Sequence, residues 1–286
     1  MHVPVMLREA IEYLAVRPDG VYLDATAGLG GHTAAIAGQL TTGLVIANDR
    51  DAESLETARR NTAQWAERIR YSQAPFSRLQ PALAALGIGK VDGLLADLGV
   101  SRYQLTDPER GFSLAAEGPL DMRMDRSRGP TAGDLVNFRS EKEIADLLFY
   151  LGEERRARRI ARAIVRARPI HSTLQLAQVV EKAVPKTTKL HPATLTFMAL
   201  RRAVNQEPEE LDALLKVAPE IVKTGGRIVV ISFMSLEDRT VKQSFQELSR
   251  QGRAMRLTRH VVKPSDEEVR QNLASRSAKL RALELK

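Results

Sequence analysis

Cysteine is absent from the 286 residues of this chain. That excludes disulfides, thiolate zinc sites and a cysteine nucleophile. The five histidines are scattered and form no H-x-x-x-H pair, so no metal site is predicted. No run of about eighteen apolar residues is present, which argues against a membrane-spanning helix. The opening "MHVPVMLREA" lacks the charged-then-apolar order of a signal peptide. These absences predict a cytoplasmic protein. Repeats and low-complexity segments are missing as well. With 43% hydrophobic residues the chain can bury a sizeable core.

What is abundant is positive charge. The formal net charge is +8. A basic surface attracts polyanions, nucleic acid above all, although general solubility explains such a balance equally well.

Hydrophobic periodicity divides the chain into three parts. In the first, strands and helices alternate. "MLREAIEYLAV" reads as an amphipathic helix, and "GVYLDAT" as a strand entering a glycine turn. The helix "TAAIAGQL" follows, then the strand "GLVIAND" and one long helix over "AESLETARRNTAQWAERI". "RYSQAPF" is a weaker strand. "LQPALAALGI" is a helix closed by Gly87, and "VDGLLADLGV" is a fourth strand. From about Pro108 to about Gln206 only helical patterns appear, among them "EKEIADLLFYLG", "RRARRIARAIVRAR", "TLQLAQVVEKAV" and "PATLTFMALRRAV". Strands resume at "GGRIVVISF", followed by a helix from "LEDRTVKQSFQEL" and candidate strands "MRLTRHVV" and "SAKLRALEL". The economical architecture is a parallel α/β sheet interrupted by a helical insertion. Its domains are predicted as 1–107 with 207–286, and 108–206. In such sheets ligands bind beyond the carboxyl ends of the strands. Asp24, Asp49, Phe76 and Asp97 then surround one crevice.

The turn "DATAGLGGHT" defines the ligand partly by what it lacks. No Gly-Lys-Ser/Thr follows, so it is not a phosphate-binding P-loop. Gly28 and Gly30 fit the start of a dinucleotide G-x-G-x-x-G, but Thr33 stands at the third glycine. Gly30 and Gly31 are adjacent instead, and glycine lets a backbone approach a bulky ligand closely. A cofactor with a carboxylate and a sulfonium suits this turn better than a pyrophosphate. A simple tight strand-to-helix connection explains it too. Asp49 ends the second strand, where an acidic side chain can take both ribose hydroxyls of an adenosine. Its alternative role is a helix N-cap. Phe76 is positioned either to stack on adenine or to pack in the core. Asp97 ends the fourth strand, where a carboxylate can orient an exocyclic amine toward an electrophilic methyl group. Its alternative is a capping aspartate before a turn.

Longer stretches carry a family resemblance. They are "HVPVMLREA", "GGHT", "ADLGVS" with "QL", "DPERGFSLAAEGPLDMRMD", "LGEERRARRIARAIVRAR", "HPATLTF", "GGRIVVISF" with "SLEDR", and "SRSAKLRA". Together they span nearly the whole chain. The chain resembles the ribosomal RNA small subunit methyltransferase H (MraW) family. That resemblance implies a class I methyltransferase with a Rossmann-like α/β sheet and an inserted all-helical domain. It implies S-adenosylmethionine as cofactor, contacted by Gly30, Gly31, His32, Asp49, Phe76, Asp97 and Gln104, with Gly28 in the same turn. It implies N4-methylation of a cytidine, cytosine 1402, in the decoding region of 16S ribosomal RNA, within the small ribosomal subunit. Asp97 is the predicted catalytic residue. Met234, Arg102, Tyr103, Thr106 and Leu195 depart from the family pattern, as does "NLASRS". Most of these positions lie on substrate-side loops.

Within "RRARRIARAIVRAR", Arg155, Arg159, Arg162 and Arg166 fall near one helix face and are candidate RNA phosphate contacts. The alternative is a solvated face paired with Glu153 and Glu154. Two further function classes stay open, a methyltransferase acting on another amine and a non-catalytic RNA-binding assembly factor.

Overall fold

The computed structural model describes residues 4–184 and 191–286. His2 and Val3 of the "HVPVMLREA" stretch lie outside the described residues. The chain divides into two compact units, 1–99 with 208–286, and 100–207. The second unit begins at Val100 rather than at 108, so Gln104 belongs to it.

The first unit is built on a seven-stranded sheet. Its elements are α1 (Leu7–Leu14), β1 (Val21–Asp24), α2 (Gly31–Gln39), β2 (Leu44–Asp49), α3 (Ala52–Asn61), β3 (Ile69–Gln73), α4 (Leu79–Ala85) and β4 (Val91–Asp97). The sheet order is β3-β2-β1-β4, continuing into β5 (Val222–Ser232), β7 (Lys279–Leu285) and β6 (Ala254–Arg256). The strands β3 to β5 run parallel, whereas β7 is antiparallel to both β5 and β6. The sheet is therefore not wholly parallel as predicted. The last strand returns between its two predecessors in the chain, which an antiparallel pairing on each side permits.

Alternation along each strand splits the core into two layers. Val45, Ala47, Leu95 and Val229 pack with α1 and α2. Ile46, Leu94, Ala96 and Ile228 pack on the other face, with α4 and with α11 (Glu207–Ile221) and α12 (Ser235–Arg250). Both faces are covered, which explains the near-continuous apolar runs of the central strands. Each fully buried Leu, Ile or Val contributes about 1.5–3 kcal/mol relative to exposure.

Two helices differ from expectation. The long helix after β2 stops at Asn61, and a 3₁₀ turn (Ala63–Arg68) replaces its second half. The Thr62 hydroxyl donates back to the Ala58 carbonyl at 2.7 Å, competing with the helical ladder. Helix α11 was not among the predicted elements. Pro208 occupies its first turn and Pro219 its last, positions that hide a helix from a periodicity reading.

The second unit is helical: short α5 (Arg102–Thr106) leads to α6 (Ala132–Phe138), α7 (Glu141–Gly152), α8 (Ala157–Arg166), α9 (Thr173–Ala183) and α10 (Thr194–Val204), which surround one core. The unusual motif "RGFSLAAEGPLDMRMD" is a loop folded upon itself. The buried Arg110 guanidinium donates to the carbonyls of Arg123 and Met124 at 3.0 and 3.1 Å. Asn205 ties the same loop down, donating to the Met122 carbonyl and accepting from the Met124 N–H, both at 2.7 Å. Among the described residues no helix is long and apolar enough to cross a membrane.

Gly111 sits in the tightest part of that loop. Its φ is +71°, and a Cβ there would lie 2.1 Å from the Pro119 carbonyl oxygen. Gly129 has a similar φ of +80° with open space around it. Gly129→Ala should cost about 1–2 kcal/mol, the strain of the left-handed backbone alone. Gly111→Ala should cost a further 1–3 kcal/mol, roughly, for displaced backbone. Thermal or urea denaturation of the two variants checks this; equal losses would contradict the account of the loop.

Candidate active site

The sheet order reverses between β1 and β4, and α/β sheets open a crevice at such a point. Three carboxylates stand at the strand ends there. Asp24 closes β1, Asp49 closes β2 and Asp97 closes β4. Register aligns Asp24 with Ala47 on one side and Leu95 on the other, so Asp49 and Asp97 each project two residues further.

Asp24 and Asp49 organise the glycine turn. Asp24 is wholly buried; it accepts the Thr33 hydroxyl at 2.6 Å and the Thr26 N–H at 3.2 Å. The Thr26 hydroxyl in turn accepts the Asp97 N–H at 2.6 Å. Asp49 accepts the Gly28 N–H at 2.8 Å and the Asp51 N–H at 2.9 Å. Asp49 is not the N-cap of α3. That role belongs to Asp51, whose carboxylate accepts from the N–H groups of Glu53 and Ser54. Asp49 is left to span the strand end and the turn.

The glycines answer first to protein neighbours. Gly28 and Gly30 have φ of +51° and +89°. A Cβ on Gly30 would lie 3.2 Å from the Ala58 Cα, so Gly30 lets α3 approach the turn. A Cβ on Gly31 would lie 2.3 Å from the Pro4 Cγ, so Gly31 admits the N-terminal segment. The adjacent pair is thus favoured by packing against α3 and the Pro4 ring.

The electrostatics single out Asp97. Burial pushes Asp24 and Asp49 up to about 6, against the hydrogen bonds each accepts. Asp97 is raised well above the ordinary carboxylate value, by burial first and by the charge of Asp24 second. Its Oδ1 is buried and has no hydrogen-bond partner. The side chain still keeps 22% of its surface, so a ligand can reach it. Asp92, at the other end of the same strand, behaves oppositely. Burial pushes it up, but hydrogen bonds from Val21 N–H and Lys223, with the charges of Lys223 and Arg17, outweigh burial and hold it low. One strand therefore carries a satisfied carboxylate at its base and an unsatisfied one at its top. Buried unsatisfied groups with raised pKa mark candidate functional sites.

His32 lies beside this carboxylate, Nδ1 being 3.9 Å from Asp97 Oδ2. Its Nε2 is 3.1 Å from the Val5 carbonyl, which can only accept, so Nε2 carries the hydrogen. Asn48 and Thr26 also build the site and were not singled out from the sequence. Asn48 donates to the carbonyls of Ala25 and Ala74 at 3.2 and 3.0 Å, joining the ends of three strands. Its signal was a polar residue inside the apolar run "LVIAND". Phe76 opens a 3₁₀ turn after β3 and packs, half-buried, against the core.

Gln104 belongs to the second unit. Its side-chain oxygen accepts the Ser101 N–H at 2.9 Å while its own N–H donates to Ser101 Oγ at 3.2 Å, a capping box for α5. In α8, Ala157, Ile160, Ala161 and Ile164 are buried, while Arg159, Arg162 and Arg166 are exposed. Arg155 precedes the helix and is exposed too. Arg162 pairs with Glu141 at 3.4 Å; among the described residues Arg155, Arg159 and Arg166 form no ion pair. Glu154 is buried and accepts the Arg156 N–H at 2.8 Å. Met234 is the N-cap of α12, where Glu237 accepts the N–H groups of Phe233 and Met234. A thioether there cannot exchange a proton. Among the described residues no group of three or more histidine, aspartate or glutamate side chains is set to hold a metal ion.

Comparison with known proteins agrees with a methyl-transfer site. The chain is 66% identical over 286 residues to a protein of Solibacter usitatus named ribosomal RNA small subunit methyltransferase H, with all of both chains covered. A protein of the same name from Acidobacterium capsulatum is 51% identical, covering 100% of this chain and 98% of its own. Another, from Syntrophobacter fumaroxidans, is 46% identical, covering 99% and 96%. The model of the MraW methylase family matches residues 1–286. With a crevice of unsatisfied carboxylate at its sheet reversal and a family match along its full length, this chain belongs to the MraW methylase family.

Proposed function

We propose that this protein transfers a methyl group from S-adenosylmethionine to the exocyclic N4 of a cytidine in small-subunit ribosomal RNA, the cytosine at position 1402. The observation that carries the reading is Asp97, a reachable carboxylate with an unpartnered oxygen and a raised proton affinity. The names of the relatives supply the substrate class. A ribosomal substrate implies a cytoplasmic protein.

The residues present fit the cofactor. Asp49 takes one backbone N–H on each carboxylate oxygen, which leaves lone pairs for two ribose hydroxyls. Phe76 would lie along the adenine. The start of α2, at Gly31 and His32, offers backbone N–H groups and the positive end of a helix dipole to a carboxylate. When bound, S-adenosylmethionine supplies a methyl group on a sulfonium leaving group.

Asp97 then has two tasks. Its carboxylate accepts a hydrogen bond from N4 and so favours a pyramidal nitrogen, whose lone pair is released from conjugation with the ring. Orientation of this kind is a large part of enzymatic rate. Its raised pKa also suits it to take the proton that N4 releases as the new bond forms. The target base must leave its stack to reach the carboxylate. We assign that work, and RNA recognition generally, to the helical unit of 100–207. Its face of Arg155, Arg159, Arg162 and Arg166 is suited to phosphate.

Transfer of label from S-adenosylmethionine to undermethylated 30S subunits, and not to DNA, tests the substrate class. Cofactor binding without any transfer would indicate an RNA-binding protein instead. Asp97→Asn should lower kcat about 100-fold or more. Because burial raises the Asp97 pKa, the ionised base accumulates only above the usual carboxylate range. Wild-type kcat/KM should therefore rise with pH well above pH 4, roughly, and the variant should lose that limb. Full activity in Asp97→Asn would refute its role. By calorimetry, Asp49→Ala should weaken S-adenosylmethionine binding about tenfold or more; unchanged affinity would contradict the ribose contact. Charge reversal at Arg159 and Arg162 should weaken RNA binding and flatten its log–log salt dependence by roughly 1.5. Equal affinities at several salt concentrations would exclude that face.

A further inference from the structure

We propose that Leu273, flanked by Arg270 and Arg276, is an RNA wedge. Its side chain enters the gap left when the target nucleotide swings out of its stack, and the two arginines hold the phosphates on either side. The proposal rests on the reading of this protein as an RNA methyltransferase with Asp97 at the reacting end. It gives the sheet-bearing unit an RNA contact of its own.

The turn that carries Leu273 stands on the rim of the crevice. Strand β7 runs antiparallel to β5, so its first residues lie at the carboxyl end of the parallel strands. Asp97 pairs with Ile231, which pairs with Leu280 on its other side. Two strand spacings, about 10 Å, thus separate Asp97 from Leu280. A 3₁₀ turn, Leu273–Ser277, leads into β7, and α13 (Asp266–Gln271) precedes that turn. Helix α13 is tied to the start of the chain, since Glu268 Oε1 accepts the Met6 N–H at 2.7 Å.

The turn is pinned from inside and apolar at its tip. Ser275 is fully buried; its hydroxyl and its N–H both donate to the Asn272 carbonyl, at 2.8 and 2.9 Å. Its own carbonyl accepts the Ala278 N–H at 2.7 Å. Leu273, between these anchors, is 68% exposed. A lone exposed leucine is ordinary; the charge around this one is not. Between positions 269 and 283 the chain carries Arg270, Arg276, Lys279 and Arg281 and no acidic residue. Arg281 is committed to Asp238 at 2.6 Å. Arg270 and Arg276 stand three residues before and after Leu273, are exposed, and form no ion pair among the described residues. The acidic side chains of α13 lie in its first turn, where Glu268 takes the Met6 N–H and Glu267 the Gln271 amide. An apolar tip between two free cations complements a nucleic-acid strand. Phosphates need the cations, and the base faces parted by a departed neighbour need an apolar filling.

The test uses the full chain with undermethylated 30S subunits. Leu273→Ala should lower kcat about tenfold, because the extruded base loses its replacement in the stack. Its S-adenosylmethionine affinity and cooperative melt should match wild type. Leu273→Met keeps the apolar bulk and should restore kcat to within about twofold. Arg270→Gln combined with Arg276→Gln should instead raise KM for the subunit and flatten its log–log salt dependence by roughly 1.4. A benzophenone amino acid in place of Leu273, with S-adenosylhomocysteine bound, should cross-link to ribosomal RNA within about two nucleotides of cytosine 1402. Wild-type kcat in Leu273→Ala would overturn the proposal, as would cross-links confined to ribosomal protein or to distant RNA. Should wild type methylate no 30S subunit while the benzophenone still captures RNA beside cytosine 1402, the contact would stand and the methyl-transfer reading would fall.

Discussion

The carboxyl end of the sheet is governed by one constraint, the crowding of three carboxylates at neighbouring strand ends, Asp24 fully buried and Asp49 and Asp97 half-buried. Asp24, Asp49 and Asp97 end adjacent parallel strands, so the topology brings them together whatever else the chain does. Their burial is unfavourable unless each finds donors. Asp24 and Asp49 find them in the turn itself, in Thr26, Thr33, Gly28 and Asp51, and thereby shape it. Asp97 does not. Its backbone N–H is anchored by Thr26, while one of its oxygens has no partner.

Asp92 makes the contrast sharp because it shares β4 with Asp97. Three donors reach Asp92 and lower its pKa; its role is to lock β4 to β1 and to the start of β5. The two residues are chemically identical and five positions apart in the sequence. Only the neighbours separate a structural carboxylate from one suited to chemistry.

Much of this was legible in the sequence, for physical reasons. Apolar runs ending in Asp24, Asp49 and Asp97 announce strands buried on both faces with polar carboxyl ends. Helix α7 matches "EKEIADLLFYLG" residue for residue because Ser140 caps it and Ile144, Ala145 and Leu148 recur on one face. Other features were hidden because they depend on partners far along the chain. Gly30 and Gly31 suggested a close approach of the backbone to a ligand, whereas the side on which a Cβ would stand faces α3 and Pro4, far away in the sequence. Asn48 read as the end of a strand, although its amide joins three strand ends. The break at Thr62 needed knowledge of a hydroxyl turning back on its own helix. The Met6–Glu268 contact, spanning nearly the whole chain, leaves no local pattern at all. Arg155 was assigned to the arginine helix but precedes it, since α8 begins at Ala157.

The account depends most on one Asp97 oxygen being held out of water with an unmet hydrogen-bonding capacity. Its carboxyl carbon can be followed by ¹³C NMR in the cofactor-free protein, assigned with Asp97→Asn. The structure predicts a titration midpoint well above the ordinary aspartate value of about 4, and above those of Asp92 and Asp121, which donors hold low. A midpoint at the ordinary value would show Asp97 to be solvated and satisfied, and would contradict the account.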